Sequence, residues 1–300
     1  MNRIRSTKNF HIKGFSCFSL FIFISSCSPT VYVLDNTPKI AGTLYKRTIL
    51  AKVQNKIKNN PDKIQEKIKG VESLTVYAFG FLIEESDRRM LNNYSKARDL
   101  EAEAHRYFED AVSYGDFSIS YLYNDYYQWM RDDTKLKTEF IPTANFKNSD
   151  LDLFYWTAAA YGGAISSSGG NPQWIIKLPR VGKLLNTIVK IDSSWNNGAA
   201  LVALISYSMN NPLLSSTEAD SVSQVLFKSA IKASKGKDMG PYLTYAESVS
   251  KTRQKREEFI YLLNEALKID TKSVKEFQLT NAISKNRAEW LLANIDEFFY

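Results

Sequence analysis

Few side chains in this 300-residue sequence are of the types that perform catalysis or bind metals. It has two cysteines, Cys17 and Cys27, and two histidines, of which only His105 lies outside an N-terminal leader. A cysteine nucleophile needs a base beside it, and a zinc site needs several ligands together. Because no second histidine accompanies His105, we expect it to form a hydrogen bond on a helix face and not to bind a metal.

Two dense groups of acidic residues are the next candidates, because a pair of carboxylates can act as general acid and general base. The groups are Glu84, Glu85 and Asp87, and Asp150 with Asp152. Neighbouring acids on a helix point in different directions, and we expect neither group to have a partner that shifts its pKa values. The sequence also lacks the G-x-S-x-G motif of serine hydrolases and the Walker A loop of nucleotide-binding proteins. We therefore expect a non-enzymatic protein without metal or cofactor, with an envelope hydrolase as the alternative.

Cys27 lies at the end of a leader that is typical of exported proteins. Four basic residues and no acid are followed by a mostly apolar run at residues 14–26. This run fits the roughly 7–15 residues of a signal-peptide core and is shorter than the roughly 20 needed to span a bilayer. Residues 24–27, with sequence ISSC, then match the bacterial lipobox, in which the cysteine thiol receives diacylglycerol and the new amino group is acylated. The alternative is a chance cysteine after an ordinary cleavage site.

Removal of residues 1–26 changes which kinds of site and partner the remaining composition allows. Cys17 is lost, so no thiol remains beside the lipidated Cys27 for a disulfide or for catalysis. The net charge falls from +7 to +3, because four of the 39 basic side chains are lost and all 32 acidic ones remain. The most basic stretch has lysines interleaved with apolar residues, as on a solvated helix face: Lys52, Lys56, Lys58, Lys63, Lys67 and Lys69. We expect no nucleic-acid partner.

The spacing of apolar residues predicts an all-α fold, since almost no segment shows the alternation of a strand. Asn60-Pro61, Asn171-Pro172 and Gly240-Pro241 each place a capping or turn residue before a proline, as at helix starts. Residues 166–171 and 234–241 have the composition of loops.

This pattern predicts three parts of the chain. Residues 1–26 are the signal peptide, residues 27–37 are a lipidated tether, and residues 38–300 form a single helical domain. We expect an exported lipoprotein that faces the periplasm, anchored in the inner or the outer membrane.

Sets of apolar or small residues spaced four and then three apart recur along the chain. The four sets are Ala104, Phe108 and Ala111; Val181, Leu185 and Ile188; Ser223, Phe227 and Ala230; and Phe259, Leu263 and Ala266. In a tetratricopeptide repeat, a small residue at such a position lets the partner helix approach. Ile191-Asp192 is predicted to end one helix and Gly198-Ala199 to begin the next. We predict stacked helical hairpins, a degenerate tetratricopeptide-like α-solenoid, with an ordinary helical bundle as the alternative.

Aromatic residues are the feature best suited to binding. One cluster lies within residues 120–130, and a second is formed by Tyr155, Trp156 and Tyr161 together with Trp174. Helical repeats bury aromatic rings between their layers, so a role in the core is one interpretation. The other is a cleft lined by these four side chains, which are then the predicted ligand-binding or partner-binding residues.

Several separated blocks of the sequence resemble the T-component lipoproteins of tripartite ATP-independent periplasmic (TRAP) transporters, the TatT family. The blocks are FYWTAAAYGGAIS at 154–166, IDSSWNNGAA at 191–200, GPYLTYAESV at 240–249 and LTNAISKNRAEWLLANIDEFF at 279–299. Their order is that of the family, and the resemblance covers nearly the whole mature chain.

The resemblance implies a tetratricopeptide-like lipoprotein that assembles as a homotrimer pierced by a pore. It also implies a periplasmic solute-binding protein as the partner, an apolar small molecule as a possible ligand, and no catalytic residues. A tetratricopeptide lipoprotein that serves envelope assembly is the alternative within binding proteins.

Overall fold

The computed structural model describes residues 38–131, 148–271 and 274–300. These residues form helices joined by turns and contain no strand, which confirms the predicted all-α fold. The predicted signal peptide and tether, including Cys27, lie outside the described residues. Within the described part, none of the helices combines the length and the apolar character needed to cross a bilayer.

The chain begins with two helical runs that each contain a π-helical segment. Helix α1 (Pro38–Tyr45) passes through the segment Lys46–Leu50 into α2 (Ala51–Asn59). Helix α3 (Ile64–Tyr77) passes through the segment Ala78–Ile83 into α4 (Glu84–Met90).

The middle of the chain contains the two helices that carry most of the candidate site. They are the long helix α5 (Tyr94–Leu122) and helix α7 (Asn148–Ser166). The short α6 (Tyr126–Arg131) lies between them in sequence, and α8 (Pro172–Ile175) and α9 (Leu178–Ile191) follow them.

The last part of the chain continues the series. A 3₁₀ turn (Trp195–Gly198) leads into α10 (Ala199–Asn210), which is followed by α11 (Ser216–Ala233). Helix α12 (Gly240–Tyr245) passes through a third π-helical segment (Ala246–Ser250), and α13 (Arg256–Leu267) follows. After a 3₁₀ turn (Lys275–Phe277), helix α14 (Gln278–Ala293) and a last 3₁₀ turn (Ile295–Glu297) end the chain.

Helices pack mainly against their neighbours in this series. Helix α5 packs between α3 and α7, α7 against α9, α9 against α10, and α10 against α11. Helices α12, α13 and α14 then pack against one another. The predicted sets of residues at four-then-three spacing face this core, since all are buried except the partly buried Phe227. Whether these helices are tetratricopeptide repeats stays a prediction.

Local sequence accounts for several helix ends. The Asn171 side chain accepts a hydrogen bond from Gln173 N at the start of α8, with Pro172 at the first helical position. Helix α9 ends at Ile191, and Gly198 adopts a left-handed conformation (φ 87°) before α10, as predicted. The expected helix start at Asn60-Pro61 is wrong by a turn: Asn60 instead ends α2, and α3 begins at Ile64.

Helices α5 and α7 pack closely because glycine lies at the contact on each. A Cβ atom at Gly115 of α5 would lie 2.4 Å from Thr157 Oγ1, and one at Gly163 of α7 would lie 2.4 Å from the Phe108 ring. The bulky Phe108 therefore fills the space that a side chain at position 163 would need. Any larger residue at either glycine would push the two helices apart.

Arg287 joins the last long helix of the chain to one of the first. Its guanidinium donates to Glu84 Oε2 at 3.1 Å and to Asp87 Oδ2 at 2.8 Å on α4. It also donates to both carboxylate oxygens of Glu247, at 2.6 and 3.2 Å, in the third π-helical segment. The guanidinium also lies over the Trp290 ring, 4.9 Å from its centroid. The expectation that the acids of residues 84–87 have no partner is therefore wrong. Arg287 is 200 residues from Asp87 in sequence, and Arg88 and Arg89 pair with Glu84 and Glu85 within α4.

Burial and charge oppose each other at this cluster. Burial alone would lower the pKa of Arg287, but the three surrounding carboxylates raise it, and the net shift is upward. Burial raises the pKa of Asp87, while Arg287 lowers it. The Arg287 side chain is only 14% exposed. Glu84 also pairs with Arg88 at 2.7 Å, and Lys251 lies 4.0 Å from Glu247, so loss of the Arg287 charge would deprive Asp87 most of all of its counter-ion.

We expect Arg287→Met to lower the free energy of unfolding by about 3–5 kcal/mol, because Asp87 loses its ion-pair partner and stays crowded against Glu84 and Glu247. Urea denaturation of residues 38–300 measures this change. Arg256→Met is the matched control, since Arg256 pairs with a single acid, Asp296, and both side chains are exposed. That variant should change stability by less than about 1 kcal/mol. Equal effects of the two substitutions would contradict a special role for Arg287.

Candidate functional site

Helix α7 carries three of the four aromatic residues predicted from the sequence to bind a ligand or partner. Asp150 lies in its first turn, where a carboxylate favours the helix start, and a run of alanines fills its middle. The chain leaves the helix after Ser166 through a turn with Gly169 and Gly170 at positive φ (64° and 85°). This turn brings Trp174, the fourth residue, back against α7.

The structure divides the four residues into two clusters. In the first, Tyr155 and Trp156 pack edge to face, with 5.2 Å between ring centroids. The Trp195 ring lies 5.2 Å from that of Tyr155 and is buried at 8% exposure. Tyr155 and Trp156 themselves keep partly exposed surfaces.

Tyr155 lies deep in the protein although its surface is partly accessible. Burial is the main cause that raises the pKa of its hydroxyl, and the nearby Asp238 carboxylate adds to the shift. Burial also raises the pKa of Asp238, which accepts a hydrogen bond from Gly240 N at 2.8 Å. We infer that Tyr155 lines a recess, because its ring packs against those of Trp156 and Trp195 while part of its surface stays accessible.

The same face of α7 continues this recess with small residues. Ala159 and Gly162 follow Tyr155 at helical spacing, and both are partly exposed. A Cβ atom at Gly162 would have no neighbour within 4 Å, so open space lies beside it. We call the surface formed by Tyr155, Trp156, Ala159 and Gly162 the α7 recess.

The second cluster lies in the core. Tyr161 is fully buried, and its ring meets that of Trp174 edge on, with centroids 6.5 Å apart. The Tyr161 hydroxyl donates to Asp116 Oδ2 at 2.6 Å, and the Tyr126 hydroxyl donates to Asp116 Oδ1 at 2.6 Å. Arg180 Nη1 in turn donates to the Tyr161 oxygen at 2.9 Å. This network ties α5, α6, α7 and α9 together.

Protonation states in this network follow from burial. Burial raises the pKa of Asp116, and the two tyrosine hydroxyls that donate to it act in the opposite direction. Burial and the Asp116 carboxylate both raise the pKa of Tyr161, whose hydroxyl therefore stays protonated. With both carboxylate oxygens occupied by donors, Asp116 serves as an anchor for the two rings.

His105 supports Trp174 from the other side. Its ring meets Trp174 edge on at 5.4 Å, and its Nδ1 lies 3.1 Å from Ser167 Oγ. Its Nε2 lies 3.5 Å from Glu109 Oε1, one turn along α5. The expectation that His105 is a hydrogen-bonding residue on a helix is thus confirmed. In the part of the chain that the structure describes, no group of three or more histidine, cysteine or acidic residues is placed to hold a metal ion.

Sequence reasoning missed the polar residues of both clusters. Asp116 is a single acid on a strip of α5 whose neighbours Val112, Gly115 and Ile119 are buried. A lone acid on an otherwise buried strip is the signal that could have pointed to a buried partner. Asp238 lies in a segment predicted only as a loop, and no local pattern marked its position beside Tyr155.

Comparison with known proteins identifies the family. The curated proteins include no match to the chain. Among protein-family models, the one described as the TRAP transporter T-component matches residues 49–299. This match covers most of the chain and confirms the resemblance found in its sequence blocks. The chain belongs to the TRAP transporter T-component family.

Proposed function

We propose that this protein is a non-enzymatic periplasmic lipoprotein, anchored through Cys27, that binds the solute-binding protein of a TRAP system and takes an apolar solute into the α7 recess. Family membership supports an accessory role in TRAP transport. The observation that carries the proposal is the partly exposed pair Tyr155 and Trp156, deep in the fold beside open space at Gly162. The homotrimer that the family resemblance implies is part of the same proposal.

The lining of the α7 recess suits an apolar solute. Two aromatic rings offer large flat contact surfaces, and Ala159 and Gly162 let a ligand approach the helix backbone. Ligand pockets of this kind combine an apolar lining with a few polar groups that orient the ligand. The Tyr155 hydroxyl and the Asp238 carboxylate that acts on it are the polar groups that we expect to orient the solute.

Three partly buried carboxylates are bound by donors of the protein, which supports a non-enzymatic role. Asp116 is held by two tyrosine hydroxyls, Asp87 by Arg287, and Asp238 by a backbone N–H. A general base must instead keep a lone pair directed at its substrate. Each of these acids uses its oxygens to fix the fold.

The lipid predicted at Cys27 has a physical purpose in this proposal. A tether confines the helical domain to the membrane surface, close to the membrane-embedded transporter. Confinement raises the effective concentration of the domain there, so a modest affinity for a diffusing solute-binding protein is sufficient.

Filling the α7 recess should abolish solute binding. We expect Gly162→Leu to weaken binding of the uncharged fluorescent dye Nile red to residues 38–300 at least ten-fold, because the leucine side chain projects into the open space. Gly80→Leu is the matched control, since Gly80 is also helical and a Cβ atom there also meets nothing within 4 Å. Fluorescence titration measures both affinities. Unchanged binding by Gly162→Leu would rule out the recess as the dye site.

Trp156→Ala separates a binding role from a core role. We expect it to weaken binding of the dye or of the solute-binding protein with only a small change in thermal unfolding, because a binding residue loses affinity without unfolding. Trp129→Ala is the comparison, since Trp129 is buried at 9% exposure and its loss should cost about 3–5 kcal/mol of stability. A Trp156→Ala melt as low as that of Trp129→Ala would place Trp156 in the core and remove it as a binding residue.

Lipidation at Cys27 is tested by metabolic labelling with a radioactive fatty acid. We expect the wild-type chain to incorporate label and to begin at Cys27 after processing. The Cys27→Ala variant should remain unlabelled, and Cys17→Ala is the control that should label normally. Label in the Cys27→Ala variant, or a mature N-terminus elsewhere, would contradict the lipoprotein proposal.

A further inference from the structure

An exposed patch beside the buried Tyr161 cluster has the properties of a docking surface. It is formed by Ile175 and Ile176, which are 48% and 74% exposed, and by the cationic residues Lys177 and Arg180. We propose that this α8 patch is where the solute-binding protein docks, through a carboxylate-bearing, partly apolar surface. The identity of the partner rests on the proposed function, and the chemistry of the contact rests on the residues of the patch.

The two cations of the α8 patch lack acidic partners. Across residues 38–131, 148–271 and 274–300, no carboxylate oxygen lies within 4.0 Å of the side-chain nitrogens of Lys177 or Arg180. The nearest acids by their electrostatic effect are Asp116 and Glu109. Asp116 is occupied by two tyrosine hydroxyls, and Glu109 lies beside His105. Among the described residues, the Tyr161 hydroxyl accepts one hydrogen bond from Arg180, and no carboxylate is close enough to pair with either cation.

Aromatic rings hold the two cations in place from below. The Lys177 ammonium lies 3.7 Å from the centroid of the Trp174 ring. The Arg180 guanidinium lies 5.7 Å from the centroid of the Tyr161 ring and uses one of its N–H groups on the Tyr161 hydroxyl. A guanidinium has five N–H groups, so most remain available to an acceptor. Both cations are therefore ordered before a partner arrives, which lowers the entropy lost on binding.

The hydrogen bonds around Asp116 explain why the rings beneath Lys177 and Arg180 stay in fixed positions. Asp116 fixes the Tyr161 ring, and His105 with Ser167 fixes the Trp174 ring. The Asn171 cap then sets the short helix that presents Ile175 and Ile176. A core that supports two unpaired cations and two exposed aliphatic side chains in fixed positions is suited to recognition.

A protein surface fits the α8 patch better than an anionic bilayer does. Exposed polar and acidic groups flank the patch, including Asn171, Gln173 and Glu109. This rim is polar and adds one acid beside the two cations, whereas surfaces that bind anionic lipids carry clusters of several basic residues. Protein interfaces combine apolar contacts and arginine at the centre with a polar rim of this kind. Two cations without acidic partners provide the charge complementarity for carboxylates of the docking protein.

Carbodiimide cross-linking tests this contact directly, because the reagent joins only amines and carboxylates that touch. The full lipidated chain is mixed in detergent with the solute-binding protein of the same TRAP system. We expect mass spectrometry to find a cross-link from Lys177 to an aspartate or glutamate of that protein. Lys228, an exposed cation on α11, is the internal control and should not cross-link.

Charge reversal supplies the quantitative test. We expect Lys177→Glu to weaken binding of the solute-binding protein about ten-fold, and Ile176→Ser to weaken it by several-fold, while Lys228→Glu has no effect. Rising salt concentration should weaken binding by the wild-type chain more than binding by Lys177→Glu. The reason is that salt screens the attraction between Lys177 and carboxylates of the partner, and the variant lacks this attraction. Unchanged circular dichroism would show that the variants are folded.

The outcomes separate the two proposals. If the wild-type chain does not bind the solute-binding protein, the proposed function and the α8 patch both fail. If it binds, and Lys177→Glu binds as well as Lys228→Glu, only the patch is overturned. The patch is also overturned if Lys177→Glu leaves that binding intact and instead reduces attachment to phosphatidylglycerol vesicles or self-association, since the occupant would then be lipid or a second copy.

Discussion

The contact of Arg287 with α4 determines how the helical series ends. Most packing in this protein is between helices close in sequence, and such a series has no intrinsic reason to return to its start. The bonds from Arg287 to Glu84, Asp87 and Glu247 bring α14 against α4 and against the π-helical segment 246–250. Because a guanidinium offers a fork of N–H groups, one side chain can join three acids from two parts of the chain.

Two of the three π-helical segments lie at the contact that Arg287 makes. One ends at Ile83, directly before Glu84, and another contains Glu247. A π-helical turn contains an extra residue and so rotates the following side chains relative to a regular α-helix. Such segments often occur where function requires a particular side-chain direction. Here both segments adjoin carboxylates that Arg287 binds. We infer that the π-helical turns help to direct Glu84 and Glu247 toward the guanidinium.

Features fixed by local chemistry could be predicted from the sequence, and those fixed by distant contacts could not. The helix boundaries at Ile191 and Gly198 followed from nearby residues alone. The pairs of Glu84 with Arg88 and of Glu85 with Arg89, four residues apart, could have been read from the sequence. The bond from Arg287 to Asp87 could not, since it spans 200 residues. Asp116 was missed for a similar reason, since its bond to Tyr161 spans 45 residues. Single-sequence periodicity gives the face of a helix but does not say which element covers that face.

The aromatic residues show the same limit within a single helix. Tyr155 and Tyr161 are six residues apart on α7, yet only Tyr161 is fully buried, and a binding role for Tyr155 stays a prediction. Tyr161 is fully buried with a satisfied hydroxyl, whereas Tyr155 keeps accessible surface. Six residues turn a helix by about 240°, so the two rings leave α7 in different directions. Which of the two rings is buried depends on the elements that pack against α7, namely α9 and the segment around Asp238.

Helix α7 therefore separates two surfaces with different chemistry. One face presents rings and small residues to a recess, and another anchors the network beneath Lys177 and Arg180. Polar groups in the network are satisfied within the protein, so their effect is to fix geometry and not to transfer protons. The glycine contacts at Gly115 and Gly163 hold α7 firmly against α5, which keeps both surfaces in register with each other. The carboxylates of Asp87, Asp116 and Asp238 are each bound by donors of the protein, so these three charges hold helices and turns in place.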